Sequence, residues 1–288
     1  MLLIRFDGNK VKRVTDMDGM LRGACAFLVG GSPGLKTQPI ALLSSRGVTT
    51  MAINNAALHF RPTLWIGGDT PQCYAKQILM DPAIMKFAPY AHRDAPVGAL
   101  PWRKMPNTYF YTLAPNVSYD DFLSPRSGVP WYNATIYCGI YVLYSLGVRT
   151  IILAGSEFGL GTEDAMYAHD SKLTKLEQKW NVDLYNNAAK DLRMLKPVFD
   201  RSELTLMDCS TRSRISPPYR HLTMEDAIAY CLRGFPIEED VSNLPHCSRF
   251  VSDKMREGVA QWPGFTELSQ DGFMPVDDTV KPAGEEVL

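Results

Sequence analysis

Four short segments carry the residue types that could grip an anion or move a proton. The first is Gly30-Gly31-Ser32-Pro33-Gly34, followed by Leu35. Glycines let a backbone approach a ligand closely and bare its N–H groups. Ser32 suits an N-cap and Pro33 the first helical position, so a helix N-terminus here would offer a phosphate free amides and partial positive charge. The plain alternative is a tight strand-to-helix turn. The spacing is neither the dinucleotide glycine fingerprint nor a Walker loop, because no Gly-Lys-Ser/Thr follows. Asn54-Asn55 is the second segment. Side-chain amides donate and accept, which suits base edges and sugar hydroxyls, although asparagine also simply tolerates positive φ in a turn. Gly67-Gly68-Asp69 is the third. Asp69 could hold a divalent metal through a nucleotide phosphate, hydrogen-bond a ribose, or only cap a helix. Gly155-Ser156-Glu157 is the fourth.

A general base is offered by His169, in the long acidic stretch that follows Glu157. An imidazole of near-neutral pKa can take a proton from a hydroxyl, with Asp170 or Glu157 tuning it. The competing reading is a surface histidine. The other histidines show no metal spacing with cysteines or with each other, so zinc is not expected. Arg212, Arg214, Arg220 and His221 cluster late in the chain, as a phosphate clamp or as a solvated loop. The aromatic run Trp131, Tyr132, Tyr137, Tyr141 and Tyr144 reads as helix packing. Tyr132 and Asn133, at the helix start, are its members placed to reach a ligand.

These segments gain force from the elements before them. Ala24–Gly30 is an unbroken apolar run and Val48–Ile53 is rich in β-branched residues. Thr63–Ile66, Thr108–Leu113, Thr150–Ala154 and Leu204–Met207 complete a set of short buried strands. Helical patterns fall between them: one from Ser32 to about Arg46, one within Ser127–Gly147 after a loop, and others at Lys172–Lys196 and Thr223–Leu232. Such alternation predicts a Rossmann-like α/β fold, with a mostly parallel open sheet and helices on both faces. In such sheets ligands bind beyond the strand carboxyl ends, and all four chemical segments fall at strand ends. The proline-rich segment 70–107 reads as an excursion, either a small lid over the site or a surface insertion. Residues 1–237 form the expected catalytic domain (core 24–232), and 238–288 an irregular C-terminal extension.

Composition narrows the partners. The chain has 288 residues, 45% of them hydrophobic, enough for a sizeable core. Thirty basic residues against 31 acidic ones give a net charge of -1, which offers no general surface for nucleic acid or anionic membrane. No apolar run approaches the roughly 18–20 residues of a membrane span. The opening MLLIRFDGNK is charged too early for a secretory signal. Six scattered cysteines without a C-x-x-C pair fit a reduced cytoplasm.

The order "apolar strand, GGSPGL, strand, NNA, strand, GD" resembles the opening of the MptE-like superfamily, named for an archaeal 6-hydroxymethylpterin diphosphokinase and including many bacterial and phage proteins. SGVPWYNATIYCGIYVLYSLGVRTIILAGSEFG resembles its second signature, and CSTRSRISPPYRHLTMEDAI its last strand and helix. The layout is also similar to that of the bacterial lipooligosaccharide sialyltransferases. The resemblance spans about residues 24–232. Two departures stand out: the usual G-x-G-P-S-L is here Gly30 to Leu35 with serine and glycine exchanged around Pro33, and the aspartate of G-x-D-F is here Glu157. The resemblance implies a transferase with a nucleotide or nucleotide-sugar donor. Gly30, Gly31 and Ser32 would hold the phosphate, Asn54 and Asn55 the ribose or base, and His169 would act as base. The runner-up it implies is a pyrophosphokinase with Mg²⁺ on Asp69. A silent nucleotide-sensing module is the third. Gly68, Gly155, Ser156, Tyr132 and Asn133 complete the expected site. The acceptor stays unnamed, and the apolar helices are compatible with a homodimer.

Overall fold

A computed structural model describes residues 1–14, 17–125, 127–158, 168 and 174–232. The strands are β1 (Leu3–Asp7), β2 (Lys10–Val14), β3 (Cys25–Val29), β4 (Thr49–Ile53), β5 (Leu64–Ile66), β6 (Met85–Pro89), β7 (Pro96–Val97), β8 (Leu100–Pro101), β9 (Thr108–Tyr111), β10 (Leu113–Pro115), β11 (Val129–Trp131), β12 (Thr150–Ala154), β13 (Thr205–Asp208) and β14 (Arg220–His221). The helices are α1 (Lys76–Met80), α2 (Thr135–Ser145), α3 (Lys175–Arg201) and α4 (Met224–Leu232). Among the described residues, ten strands form one sheet in the order β14-β13-β12-β3-β4-β5-β6-β9-β1-β2. Its pairs are parallel except at one edge, where the β1–β2 hairpin joins β9 antiparallel.

The apolar runs read as buried strands because both sheet faces are covered. In β3, Ala26 and Leu28 enter a core beneath α2 and α3, whereas Cys25, Phe27 and Val29 enter a second core beneath α4 and the segment 76–105. Gly139 of α2 lets that helix press on the sheet: a Cβ there would lie 2.7 Å from Leu28 Cδ1. The chain runs from β3 outward through β4, β5, β6 and β9, then returns to lay β12 on the other side of β3. The strand order therefore reverses between β3 and β12, and a crevice opens at their carboxyl ends.

Two sequence expectations need correction. The helix expected from Ser32 to Arg46 is a pair of 3₁₀ turns, Pro33–Thr37 and Ile40–Ser44. Pro39 divides them; it lacks a donor and pushes Gln38 to extended backbone (φ -92°, ψ 152°). The excursion 70–107 is neither a lid nor a surface insertion. It supplies β6, a central strand, and packs Trp102 fully buried against Trp65, Tyr74 and Phe110. Lys86, the second residue of β6, breaks its apolar pattern. That side chain is completely buried and donates to the carbonyls of Asp81 and Ile84, at 2.5 and 2.9 Å. The nearby Asp81 carboxylate is held by both nitrogens of an Arg61 fork at 2.7 Å.

Burial pushes the Lys86 ammonium down to about 7 from 10.5, against the pull of Asp81 and with the push of Arg61. A lysine whose folded pKa lies below its unfolded one binds fewer protons when folded, so stability rises with pH above 7. Melting temperature between pH 6 and 9 is expected to climb more steeply in the wild type than in Lys86→Met. Equal slopes would contradict the buried charge.

Candidate functional site

The floor of the crevice is made by two glycines. The Gly30 N–H donates to Ala154 O at 2.8 Å and the Ser32 N–H to Gly155 O at 3.0 Å. A Cβ on Gly30 would meet Gly155 O at 2.6 Å; one on Gly155, where φ is +54°, would meet Gly30 O at 2.6 Å. Gly31 differs from its neighbour. A Cβ there would find nothing nearer than 3.9 Å, and its carbonyl accepts the Ala168 N–H at 2.7 Å. Above this floor lies a cleft of about 340 Å³.

The structure brings most of the expected residues to that cleft. Gly30, Gly31, Ser32, Asn54, Asn55, Asp69, Asn133, Gly155, Ser156 and Glu157 all line it. Asn54 has φ +52°, and its carbonyl accepts the Trp65 indole N–H at 2.7 Å. Its Oδ1 is buried without a partner. Asn55 is spent on structure: its amide bridges Cys73 O at 3.1 Å and the Ala75 N–H at 3.0 Å. Asp69 stands exposed at the mouth, its N–H donating to the Tyr74 hydroxyl at 2.6 Å. The walls behind it desolvate the carboxyl and push its pKa up, against His92 and Tyr74. Among the described residues no three His, Cys, Asp or Glu gather as a metal cage.

Four expected contacts fall outside the cleft lining. Tyr132 donates its hydroxyl to Val117 O at 2.6 Å and stacks on Tyr119 and Phe122. Gly68 is small because Trp131 and Thr135 crowd it, within 2.9 Å of where a Cβ would lie. Pro33 and Gly34 open a 3₁₀ turn of five residues with no side-chain cap, in place of a full helix. The amide of Gly34 faces the chain's own Glu157 carboxyl, and Ser32 Oγ accepts the Glu157 N–H at 3.4 Å. This loop is therefore already partnered by an acid. His169 and Asp170 lie outside the described residues.

Other lining was missed in the sequence. Trp131 ends β11, Ala134, Thr135 and Ile136 open α2, and Asn181, Leu184, Tyr185 and Ala188 of α3 line the cleft as well. The i, i+3, i+4, i+7 spacing of the α3 set was visible, but a long amphipathic helix reads first as core. The start of α2 is unusual. Asn133 has φ +58°, Ala134 is the N-cap with no side-chain hydrogen bond, and the first turn holds no acid. Alanine is a poor N-cap, so this eleven-residue helix begins at the cleft without a side-chain cap.

The arginine clamp is not assembled on the lining, where no Lys or Arg stands among the described residues. Arg214 donates to Phe158 O and Asn186 Oδ1, both at 2.9 Å, and His221 Nε2 meets Ser210 O at 2.8 Å. Two buried carboxyls stand on this side instead, Glu157 in the lining and Asp208 outside it. Glu157 is 5% exposed and Asp208 is fully buried. Burial raises both. Gly34 and Arg212 oppose the rise at Glu157, and hydrogen bonds from Ser213 and Ser210, with His221, oppose it at Asp208.

No protein-family model and no curated protein sequence matches the chain. Among solved structures it is similar to a MAf glycosyltransferase from Magnetospirillum magneticum AMB-1, at 13% identity and a TM-score of 0.41 over 76% of this chain and 40% of that one. It is also similar to the sialyltransferase CstII from Campylobacter jejuni in complex with cytidine-5'-monophosphate, at 14% identity and a TM-score of 0.40 over 69% of this chain and 85% of that one. Likeness at this level carries nothing about activity. No helix among the described residues is long and apolar enough to cross a membrane.

The adjacent glycines separate fold from binding. Gly30→Ala forces a methyl onto Gly155 O and is expected to cost about 1–3 kcal/mol, lowering the melting temperature by several degrees. Gly31→Ala should melt like the wild type, because its methyl meets only the open cleft. Matching losses in the two variants would show that the floor is not built this way.

Proposed function

We propose that this chain is a transferase that holds a nucleotide-activated donor where β3 and β12 part. Its finer assignment, a sialyltransferase-like glycosyltransferase, rests on the motif resemblance. The observation that carries the reading is the uncapped start of α2, lining the same cleft as Gly31 and the unpartnered Asn54 Oδ1. Amides at a helix N-terminus suit a phosphate. A buried amide oxygen without a donor suits a ribose hydroxyl or an exocyclic base amine.

In this reading His169 takes the proton of an acceptor hydroxyl, and the acceptor oxygen attacks the anomeric carbon of the donor sugar. The nucleotide phosphate leaves, and its developing charge meets the α2 amides. Support for His169 comes from its sequence neighbour: Ala168 is buried and tied by its N–H to Gly31 O at 2.7 Å, at the floor of the cleft. Asp69, at the mouth, orients the donor.

A thermal-shift panel of CMP, UDP, GDP, ADP and ATP, each with and without Mg²⁺, tests this. At least one nucleotide is expected to stabilise the protein without metal. At 100 times its dissociation constant the gain is about 2.7 kcal/mol, several degrees. Asn54→Gly, which keeps the left-handed backbone, should weaken that nucleotide roughly tenfold. His169→Ala should keep binding and lower turnover by about 10²–10⁴. An absolute Mg²⁺ requirement would favour a pyrophosphokinase. Binding without turnover of any donor would favour a sensing module, and no binding would contradict the reading.

A further inference from the structure

The wall carboxyl Glu157 is used by neither the floor nor the amides of α2. Its Oε1 is buried against Gly34, whose amide faces the carboxyl, and no hydrogen bond of ordinary geometry reaches that oxygen. An ionised carboxylate accepts on both oxygens, and leaving one empty in a desolvated wall is costly. A neutral acid has one O–H and needs a single acceptor for it. The cleft is where that acceptor would arrive.

Asp208 reinforces the case from behind. It lies at the end of β13, opposite Leu153 of β12, and its Oδ2 also has no partner. Its Oδ1 accepts the Ser210 N–H at 3.0 Å, and Ser210 Oγ accepts the Ser156 N–H at 2.9 Å. One short chain of bonds therefore ties the buried acid to the residue before Glu157. Among the described residues, Arg212 faces Glu157, and His221 and Cys209 face Asp208. Asp69 and Tyr185 share the cleft lining. Arg212, whose attraction lowers the Glu157 carboxyl, is exposed and outside the lining, so an ionised Glu157 would still face an anionic ligand across the cleft. Two carboxyls in one desolvated wall do not both ionise cheaply.

We propose that Glu157 stands in the cleft as a neutral acid and donates a hydrogen bond to a phosphoryl oxygen of the bound nucleotide, with the buried Asp208 behind it. This rests on the nucleotide reading above. It makes Glu157 a specificity residue, one that favours a phosphorylated ligand over the bare nucleoside and loosens its grip when it ionises. The direction agrees with the environment: burial raises the Glu157 carboxyl above its ordinary value, the Gly34 amide and Arg212 oppose the rise, and Asp208 adds a smaller push upward.

Calorimetric titration of CMP and of cytidine between pH 5.5 and 9 tests the proposal in the wild type, Glu157→Gln and Asp208→Asn. If another nucleotide of the panel shifts the melt most, that nucleotide and its nucleoside replace them. Gln keeps a neutral N–H donor. Wild-type affinity for CMP is expected to fall more than tenfold as pH rises, whereas Glu157→Gln keeps only the dependence that CMP's own phosphate imposes. Cytidine should show no such fall. Asp208→Asn removes the repelling neighbour, so Glu157 ionises sooner and the fall moves to lower pH. If Glu157→Gln does not fold, the Asp208→Asn shift decides alone. A tenfold loss in Glu157→Gln at every pH would overturn the proposal, because it would make the group an accepting carboxylate. So would identical pH profiles in wild type and Glu157→Gln. Failure of any nucleotide to bind the wild type would instead sink the underlying reading.

Discussion

Gly30 and Gly155 approach so closely that a methyl group on either would reach within 2.6 Å of the other's carbonyl oxygen. That contact closes the carboxyl ends of β3 and β12 at the point where the strand order reverses. It fixes Gly31 as open floor on one side and Ser156-Glu157 as wall on the other. The remainder of the site follows from strands hydrogen-bonded to this pair. Asn54 ends β4 beside β3, Asp69 follows β5 beside β4, and Asp208 ends β13 beside β12. The parallel register lays these ends along one rim, and no loop needs to reach across the molecule to build it.

Much of this rim was legible because buried parallel strands announce themselves as apolar and β-branched runs stopped by glycine or asparagine. What the runs conceal is where polar groups are spent. Asn54 and Asn55 are identical in type, yet one carries a free acceptor and the other pins the segment at Cys73 and Ala75. Lys86 interrupts the apolar run of a central strand, and two backbone carbonyls accept from its ammonium. Pro39 cuts the first helix to a turn, whereas α2 runs uninterrupted from Thr135, and its first residues line the cleft. The α3 wall was hidden for another reason: an amphipathic stripe does not say whether it faces core or cleft. His169 and the extension 238–288 fall outside the described residues.

The site also concentrates features that a stability-optimised fold would avoid. An alanine N-cap, two buried acids with unpartnered oxygens and an unsatisfied Asn54 sit within or beside one cleft. Each costs stability in the free protein. Such local violations concentrated at one rim are characteristic of binding sites, where the missing partner is the ligand. The two sheet faces, by contrast, are densely packed by α2 and α3 on one side and by α4 and Trp102 on the other, and can sustain the cost.

The central claim is that one anionic nucleotide is held along this rim. Amide-resolved NMR during a CMP titration tests it most directly. The account predicts that the largest shifts fall on the backbone amides of Gly31, Thr135 and Ile136 and on the Asn54 side-chain amide. Shifts confined to other surfaces, with these four groups unmoved at saturation, would contradict it.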